Sequence, residues 1–225
     1  VIGLVTIGQS PRDDVVPSMF PGMDPVNLVQ AGALDDLSDN EIDALYPSGS
    51  ELPLVTRLAD GREVVIAKPR ISPLMEQAIA RLEDQGATMI CVLCTGEFAL
   101  KSRVATLIYP DKVLAGVVDG LFTSGKLGVL MPHAGQIAWA LEKWSRPGRQ
   151  VVADWISPYQ AEADPKTVFE RIAAQGVAGI VLDCMGFDAG IAALGQRLTG
   201  LPIIQANRMV GSVLTAMNYR EDVAR

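Results

Sequence analysis

The sequence predicts an α/β protein made of two similar lobes, each built on a parallel sheet. Three observations carry that reading. Short apolar runs rich in β-branched residues alternate with helical stretches, at the spacing of parallel strands joined by right-handed crossovers. Two of those runs end alike, MICVLCTGEF at 89–98 and GIVLDCMGF at 179–187, each closing an apolar strand with Cys-x-Gly. KLGVLM at 126–131, followed by Pro132 and His133, repeats the move made by VIGLVTIG at 1–8 and its loop.

The elements follow in order. Residues 1–8, bounded by Gly8, read as a buried parallel strand. The run Gln9-Ser10-Pro11-Arg12-Asp13-Asp14 then opens a helix. Ser10 suits the N-cap and Pro11 the first helical position; the two aspartates complement the dipole, and Pro17 and Pro21 cut the helix short. A second strand is expected at 26–31, then loop and short helix over 34–46, where Ser38 and Glu41 stand at capping-box spacing. Residues 54–57 and 63–68 flank Ala59-Asp60-Gly61 as a hairpin. Residues 73–85 form an amphipathic helix with Leu74, Ala78, Ile79 and Leu82 on one face and Gly86 at its end. The cysteine strand, 88–94, turns through Thr95 and Gly96 into a helix, and a short strand follows at 113–118.

The second half repeats the order. Strands are expected at 126–131, 150–156, 179–184 and 202–205, and helices at 137–144, 166–175 and 191–198, with Asn207 capping a last helix. The first half is longer by roughly the hairpin. Lobe 1 is therefore expected over 1–119 and lobe 2 over 120–207, crossing near 119–125, with a C-terminal helix, 208–225, packing back on lobe 1.

Composition narrows the function classes. At 225 residues and 49% hydrophobic content the chain can bury a sizeable core, and a net charge of −7 without clustered Lys or Arg argues against nucleic acid as a partner. Three cysteines in apolar surroundings do not make a disulfide framework, and no apolar run approaches the ~18 residues of a membrane span. With no leader visible, a soluble cytoplasmic protein is the expectation, and a homodimer accords with base rates for soluble enzymes.

In open parallel sheets ligands bind beyond the carboxyl ends of the strands, where Ser10, Cys94, Pro132 and Cys184 all fall. A thiol facing helix amides has a lowered pKa, which favours the nucleophilic thiolate. Read singly, either cysteine is a small buried hydrophobe; equivalent placement of both favours a paired role. Cys91 is three residues from Cys94 on a strand, so its side chain leaves by the other face and fills core. Gln9, Ser10 and Arg12 offer amides, a hydroxyl and a guanidinium able to pair two oxygens of a carboxylate or phosphate, although a capped helix with a solvated Arg fits as well. Thr95-Gly96 and Met185-Gly186 let backbone amides approach a ligand, or simply make tight turns. His133 is the sole histidine. It would suit a thiol's base, but nothing in the sequence brings them together, and a loop histidine without a catalytic role fits better. Trp139, Trp144 and Trp155 read as packing. Neither metal-ligand spacing nor a dinucleotide or Walker signature is present, so cofactor-independent chemistry is expected.

Two α/β lobes with a cysteine at a strand end in each resemble the aspartate/glutamate racemase superfamily. VTIGQSPRDD together with VLCTGEF and LDCMGF looks like its AroM branch, over essentially the whole chain. The resemblance implies pseudo-symmetric Rossmann-like lobes facing each other across an active-site cleft. By position Cys94 and Cys184 match the two racemase cysteines, and Ser10 falls within the place of an Asp-Ser-Gly loop. The chain departs from the racemase pattern where Thr95-Gly96 replaces Asn-Thr, where Met185-Gly186 replaces Thr-His, and where the glycine-rich loop is lost. Those positions hold an amino-acid substrate, so glutamate and aspartate do not carry over.

The expected function is a cofactor-independent racemase or isomerase acting on a small carboxylate by two-cysteine acid/base chemistry, and the expected partner is a small anionic metabolite bearing a carboxylate or a phosphate. Cys94 and Cys184 would be catalytic, with Gln9, Ser10, Arg12, Thr95, Gly96, Pro132, His133, Met185, Gly186 and Asn207 binding substrate. A lyase, decarboxylase or cis–trans isomerase using one cysteine, and a non-catalytic cleft that closes on an anionic metabolite, are the alternatives.

Overall fold

Strands β1 (Ile2–Thr6), β2 (Leu28–Gly32), β5 (Met89–Leu93) and β6 (Thr106–Ile108) form a parallel sheet in the order β2-β1-β5-β6. Strands β7 (Gly125–Met131), β8 (Arg149–Trp155), β9 (Ile180–Leu182) and β10 (Ile203–Gln205) form a second parallel sheet, β10-β9-β7-β8. Read from the other edge the second order is β8-β7-β9-β10, the same winding as the first. The computed structural model describes residues 1–21, 28–160 and 164–217; the first two positions of the strand expected at 26–31, and 218–225 of the expected C-terminal helix, lie outside them.

The duplication holds at single-residue register. Gly3 in β1 pairs with Ile90, and Gly128 in β7 pairs with Ile180. Both glycines lie where a Cβ would press into that partner and into an outer helix residue, Leu82 or Ile172. Four residues beyond each isoleucine comes a cysteine, Cys94 or Cys184. Leu93 in the first half corresponds to Asp183 in the second, an acid in an apolar position.

Alternation along the strands sorts the core into three layers. Leu4, Cys91, Leu93, Leu127, Val129, Met131 and Val181 face inward to one cluster shared by both sheets. Val5, Ile90, Val92 and Cys94 face outward to a cluster with α3 (Lys68–Asp84). Leu130, Ile180, Leu182 and Cys184 face outward to one with α6 (Pro165–Ala173) and α7 (Ala189–Thr199). Cys91 and Cys94 thus leave opposite faces. The inner layer also takes residues of α1 (Val16–Met19), α4 (Pro110–Leu121), α5 (Ile137–Trp144) and α8 (Ala206–Met217). Helix α8 returns to pack on α1 and α4, and Gly211 lets it touch the Met19 backbone.

Four local expectations need correction. The helix after β1 begins at Val16, so neither Ser10 nor Pro11 starts it; residues 8–15 wind instead as turns held by side chains. Helix α3 starts at Lys68, with Pro69 in its first turn and the exposed Pro73 inside it. Proline has no N–H to give back to residue 69, and one lost bond on the solvent side is tolerated. Residues 113–118 are helical: Pro110, Asp111, Leu114 and Val118 make a buried face at helical period, and tertiary burial outweighs valine's strand preference. No helix follows Cys94; the chain runs irregularly from there to β6. The capping box starts α2 (Asp39–Asp43), with the Ser38 N–H donating to the Glu41 carboxylate at 2.8 Å. Among the described residues no helix is long and apolar enough to cross a membrane.

The hairpin of β3 (Pro53–Arg57) and β4 (Glu63–Ala67), inserted in the first half, reaches over to the second. Gln136 Nε2 donates to the Pro53 carbonyl at 2.9 Å, and the Glu63 carboxylate accepts from Ser157 Oγ and Gln160 Nε2. It is a strap laid across the two lobes at the strands' carboxyl ends.

Candidate active site

Under that strap lies a cavity of about 20 Å³, room for about one water molecule. Arg12, Cys94, Thr95, Gly96, Pro132, Cys184, Met185 and Gly186 line it. So do Thr56 of the hairpin, Gln136, and Tyr159 of the loop after β8. Both cysteines meet the same partner in the same way. The N–H of Gly96 donates to Cys94 Sγ at 3.3 Å, and that of Gly186 to Cys184 Sγ at 3.4 Å. These donors belong to tight turns, not helix ends, so a helix terminus is not what tunes the sulfurs.

The expected depression of the thiol pKa does not occur. Burial pushes Cys94 up to about 11 and Cys184 to about 12; the glycine amides pull each down without cancelling that cost. Proximity to Cys94 raises Cys184 further, so ionising one thiol holds the other neutral.

Arg12 is buried but not free. Its Nε and Nη2 both donate to the Asp14 carboxylate at 2.8 Å, its Nη1 to Thr6 Oγ1 at 3.2 Å, and its Nη2 also to the Tyr159 hydroxyl at 2.8 Å. Neither the solvated side chain nor the bidentate clamp on a ligand survives, because Asp14 already fills the guanidinium fork. Burial lowers the guanidinium, Asp14 and Tyr159 outweigh it, and the group stays above its ordinary pKa and charged. The Tyr159 hydroxyl accepts from Arg12, leaving its own hydrogen to point elsewhere. Burial raises its pKa, so it is a neutral donor. Gly186 makes room for it: a Cβ there would strike the tyrosine ring.

Behind the cavity is a group that ties the two cysteine loops together. Lys143 Nζ donates to the Asp183 carboxylate at 2.9 and 3.0 Å and to the Thr95 carbonyl at 2.9 Å. Trp144 Nε1 adds a 2.7 Å bond to Asp183, and Thr95 Oγ1 donates to the Asp183 carbonyl at 3.1 Å. Thus the residue after Cys94 is bonded to the residue before Cys184. Lys143 also lies 4.5 and 4.8 Å from the Trp139 and Trp144 ring centres. Of the three tryptophans read as packing, Trp155 is 42% exposed, beside the His133 ring.

The remaining sequence candidates lie outside the cavity lining. Gln9 fixes the base of the hairpin, accepting from Ala59 N–H at 2.9 Å and donating to the Leu34 carbonyl. Ser10 gives its amide and hydroxyl to Asp35 at 2.7 and 2.8 Å. His133 accepts from Gly135 N–H through Nδ1 and borders a separate surface depression with Tyr46 and Glu51. Asn207 lies in the first turn of α8 rather than before it; its Nδ2 donates to the carbonyls of Met185 and Phe187 and so holds the loop after Cys184. Among the described residues no three His, Cys, Asp or Glu side chains cluster as metal ligands.

The family model of the AroM protein matches residues 2–217. The chain belongs to the AroM family. No curated protein matches this AroM sequence significantly. Among solved structures the fold resembles glutamate racemase from Francisella tularensis in complex with D-glutamate (14% identity, 96% of this chain and 80% of that one, TM-score 0.58). It also resembles the maleate isomerase of Pseudomonas putida (13%, 96% and 92%, TM-score 0.61) and unliganded arylmalonate decarboxylase (12%, 100% and 94%, TM-score 0.59). At such identity the likeness is one of fold: the racemase-superfamily α/β architecture with two lobes.

Sequence reasoning missed Tyr159, Gln136, Thr56 and the Lys143–Asp183 pair of this AroM chain. Only Asp183 left a signal: an acid inside GIVLDCMGF cannot be buried without a partner.

Proposed function

We propose that this AroM chain is a cofactor-independent racemase or isomerase that moves a proton at the carbon next to a small carboxylate. The observation that carries the reading is two thiols in equivalent positions on one cavity, each accepting the same glycine N–H bond. In one direction Cys94 takes the proton from the acidic carbon as thiolate, and the electron pair moves into the carboxylate to give an enolate; in the reverse direction Cys184 does so. The Cys184 thiol returns a proton to the opposite face and is left as thiolate; exchange with solvent resets the pair. The free hydrogen of Tyr159 and the charge of Arg12 behind it stabilise the growing negative charge. The strap must lift to admit substrate and close to exclude water.

The neighbouring thiols define a pH dependence. A pKa raised to about 11 leaves Cys94 neutral below that pH, so each unit lost costs about tenfold in thiolate. The test is solvent-deuterium incorporation at the acidic carbon of small carboxylates between pH 7 and 10. kcat/KM is expected to rise about tenfold per unit; a flat profile, or no label in any acid, counts against the reading.

A second reading rests on the burial that keeps both thiols protonated. If loss of carbon dioxide supplies the enolate, Cys184 alone reprotonates it and the chain is a decarboxylase. Carbon dioxide release that survives Cys94→Ser would favour that course.

A further inference from the structure

Two cavity residues hold oxygens that nothing among the described residues satisfies. Thr56 is 1% and Gln136 3% exposed, both line the cavity, and Thr56 Oγ1 and Gln136 Oε1 are buried without a hydrogen-bond partner among the described residues. A buried unpaired oxygen costs about 1–3 kcal/mol; Asp111, Gln205 and Asn207 also hold one each, but only those of Thr56 and Gln136 belong to residues of this cavity, where a bound molecule would satisfy both. The amide of Gln136 has a settled orientation. Its nitrogen must face the Pro53 carbonyl, 2.9 Å away, which leaves Oε1 as acceptor only. What it lacks is a donor.

The charge of that donor follows from the lining. Among the described residues no Asp or Glu lines the cavity. The nearby carboxylates are already used, Asp14 by Arg12 and Asp183 by Lys143 and Trp144. With both thiols protonated at neutral pH and the neighbouring carboxylates already paired, an ammonium brought here would be buried with no side-chain counter-charge, which is expensive. A hydroxyl carries the donor without the charge.

Building on the function proposed above, we infer that the substrate is a small hydroxy-carboxylate, its hydroxyl held by Gln136 Oε1 and Thr56 Oγ1 and its carboxylate turned toward Tyr159 and Arg12. The one hydrogen of the substrate hydroxyl goes to Gln136 Oε1, and Thr56 Oγ1 gives its own hydrogen to the hydroxyl oxygen. The closed cavity, with room for about one water, is smaller than any such acid, so the strap has to lift before one enters.

Equilibrium binding tests this without turnover, so it stays readable whether or not solvent exchange is found. Lactate, alanine and 2-methylpropionate place a hydroxyl, an ammonium and a methyl group at the same position. By calorimetry at neutral pH lactate is expected to bind at least about tenfold more tightly than the other two, the worth of one or two hydrogen bonds. Gln136→Met and Thr56→Val should each remove most of that advantage and leave 2-methylpropionate unchanged, while Thr56→Ser, which keeps the hydroxyl, retains it. Alanine binding as well as lactate, equal loss for all three acids in the variants, or no binding by any of them overturns the assignment. So does lactate affinity unchanged in both variants, the result if an ordered water alone satisfies the two oxygens.

Discussion

Cys94→Ser and Cys184→Ser each lower the rate of proton exchange about 100- to 10,000-fold, the range of one positioned acid or base. Serine is nearly isosteric, and at both sites the side chain is buried in a packed outer core, so the variants fold. What changes is acidity. A serine hydroxyl at position 94 does not ionise even where the thiol does, and one at 184 is a poorer donor. The two losses do not add, because removal by one cysteine and delivery by the other are successive steps through the same enolate. A variant that keeps half of the wild-type exchange rate would remove its cysteine from the mechanism.

Lys143→Met lowers stability by about 3–5 kcal/mol, the cost of leaving one member of a buried ion pair alone. The Asp183 side chain has no exposed surface and that of Lys143 5%. Without the ammonium, the carboxylate keeps only the Trp144 N–H among its side-chain donors. For a chain of this length that is a fall in Tm on the order of 10 °C. Adding Asp183→Asn should recover part of it, since the amide still accepts from Trp144 and no charge remains buried. A single variant as stable as wild type, measured by denaturant or heat, would show the pair to be dispensable. Exchange should suffer as well, because Lys143 ties the Thr95 carbonyl to Asp183 and thereby fixes the loops that carry both thiols.

Sheet architecture was legible because parallel strands buried on both faces leave short apolar runs, and here the runs come in two matching sets. The equivalence of Cys94 and Cys184 was legible for the same reason: register preserves it. Helix boundaries were less so. Pro73 reads as a start, yet it lies in the middle of α3, where solvent tolerates its missing bond, and Val113, Val117 and Val118 read as strand although burial makes them helix. The thiol acidity was misjudged because sequence shows the turn amides but not the burial that outweighs them. Tyr159, Thr56 and Gln136 were illegible in a stronger sense. They come from a loop, a hairpin and a short turn that meet only when the lobes face each other. Arg12 was found, but Asp14, two residues away, changes its role from ligand clamp to fixed charge.

The opposed-thiol account is tested most directly by following label in deuterium oxide during the first turnovers of the proposed reaction, starting from one enantiomer of a hydroxy acid. Two thiols on opposite faces predict product that carries solvent deuterium at the acidic carbon while the unreacted substrate stays unlabelled. Product that retains the original hydrogen, or label appearing equally in substrate and product from the outset, would mean a single group serves both faces and would contradict it.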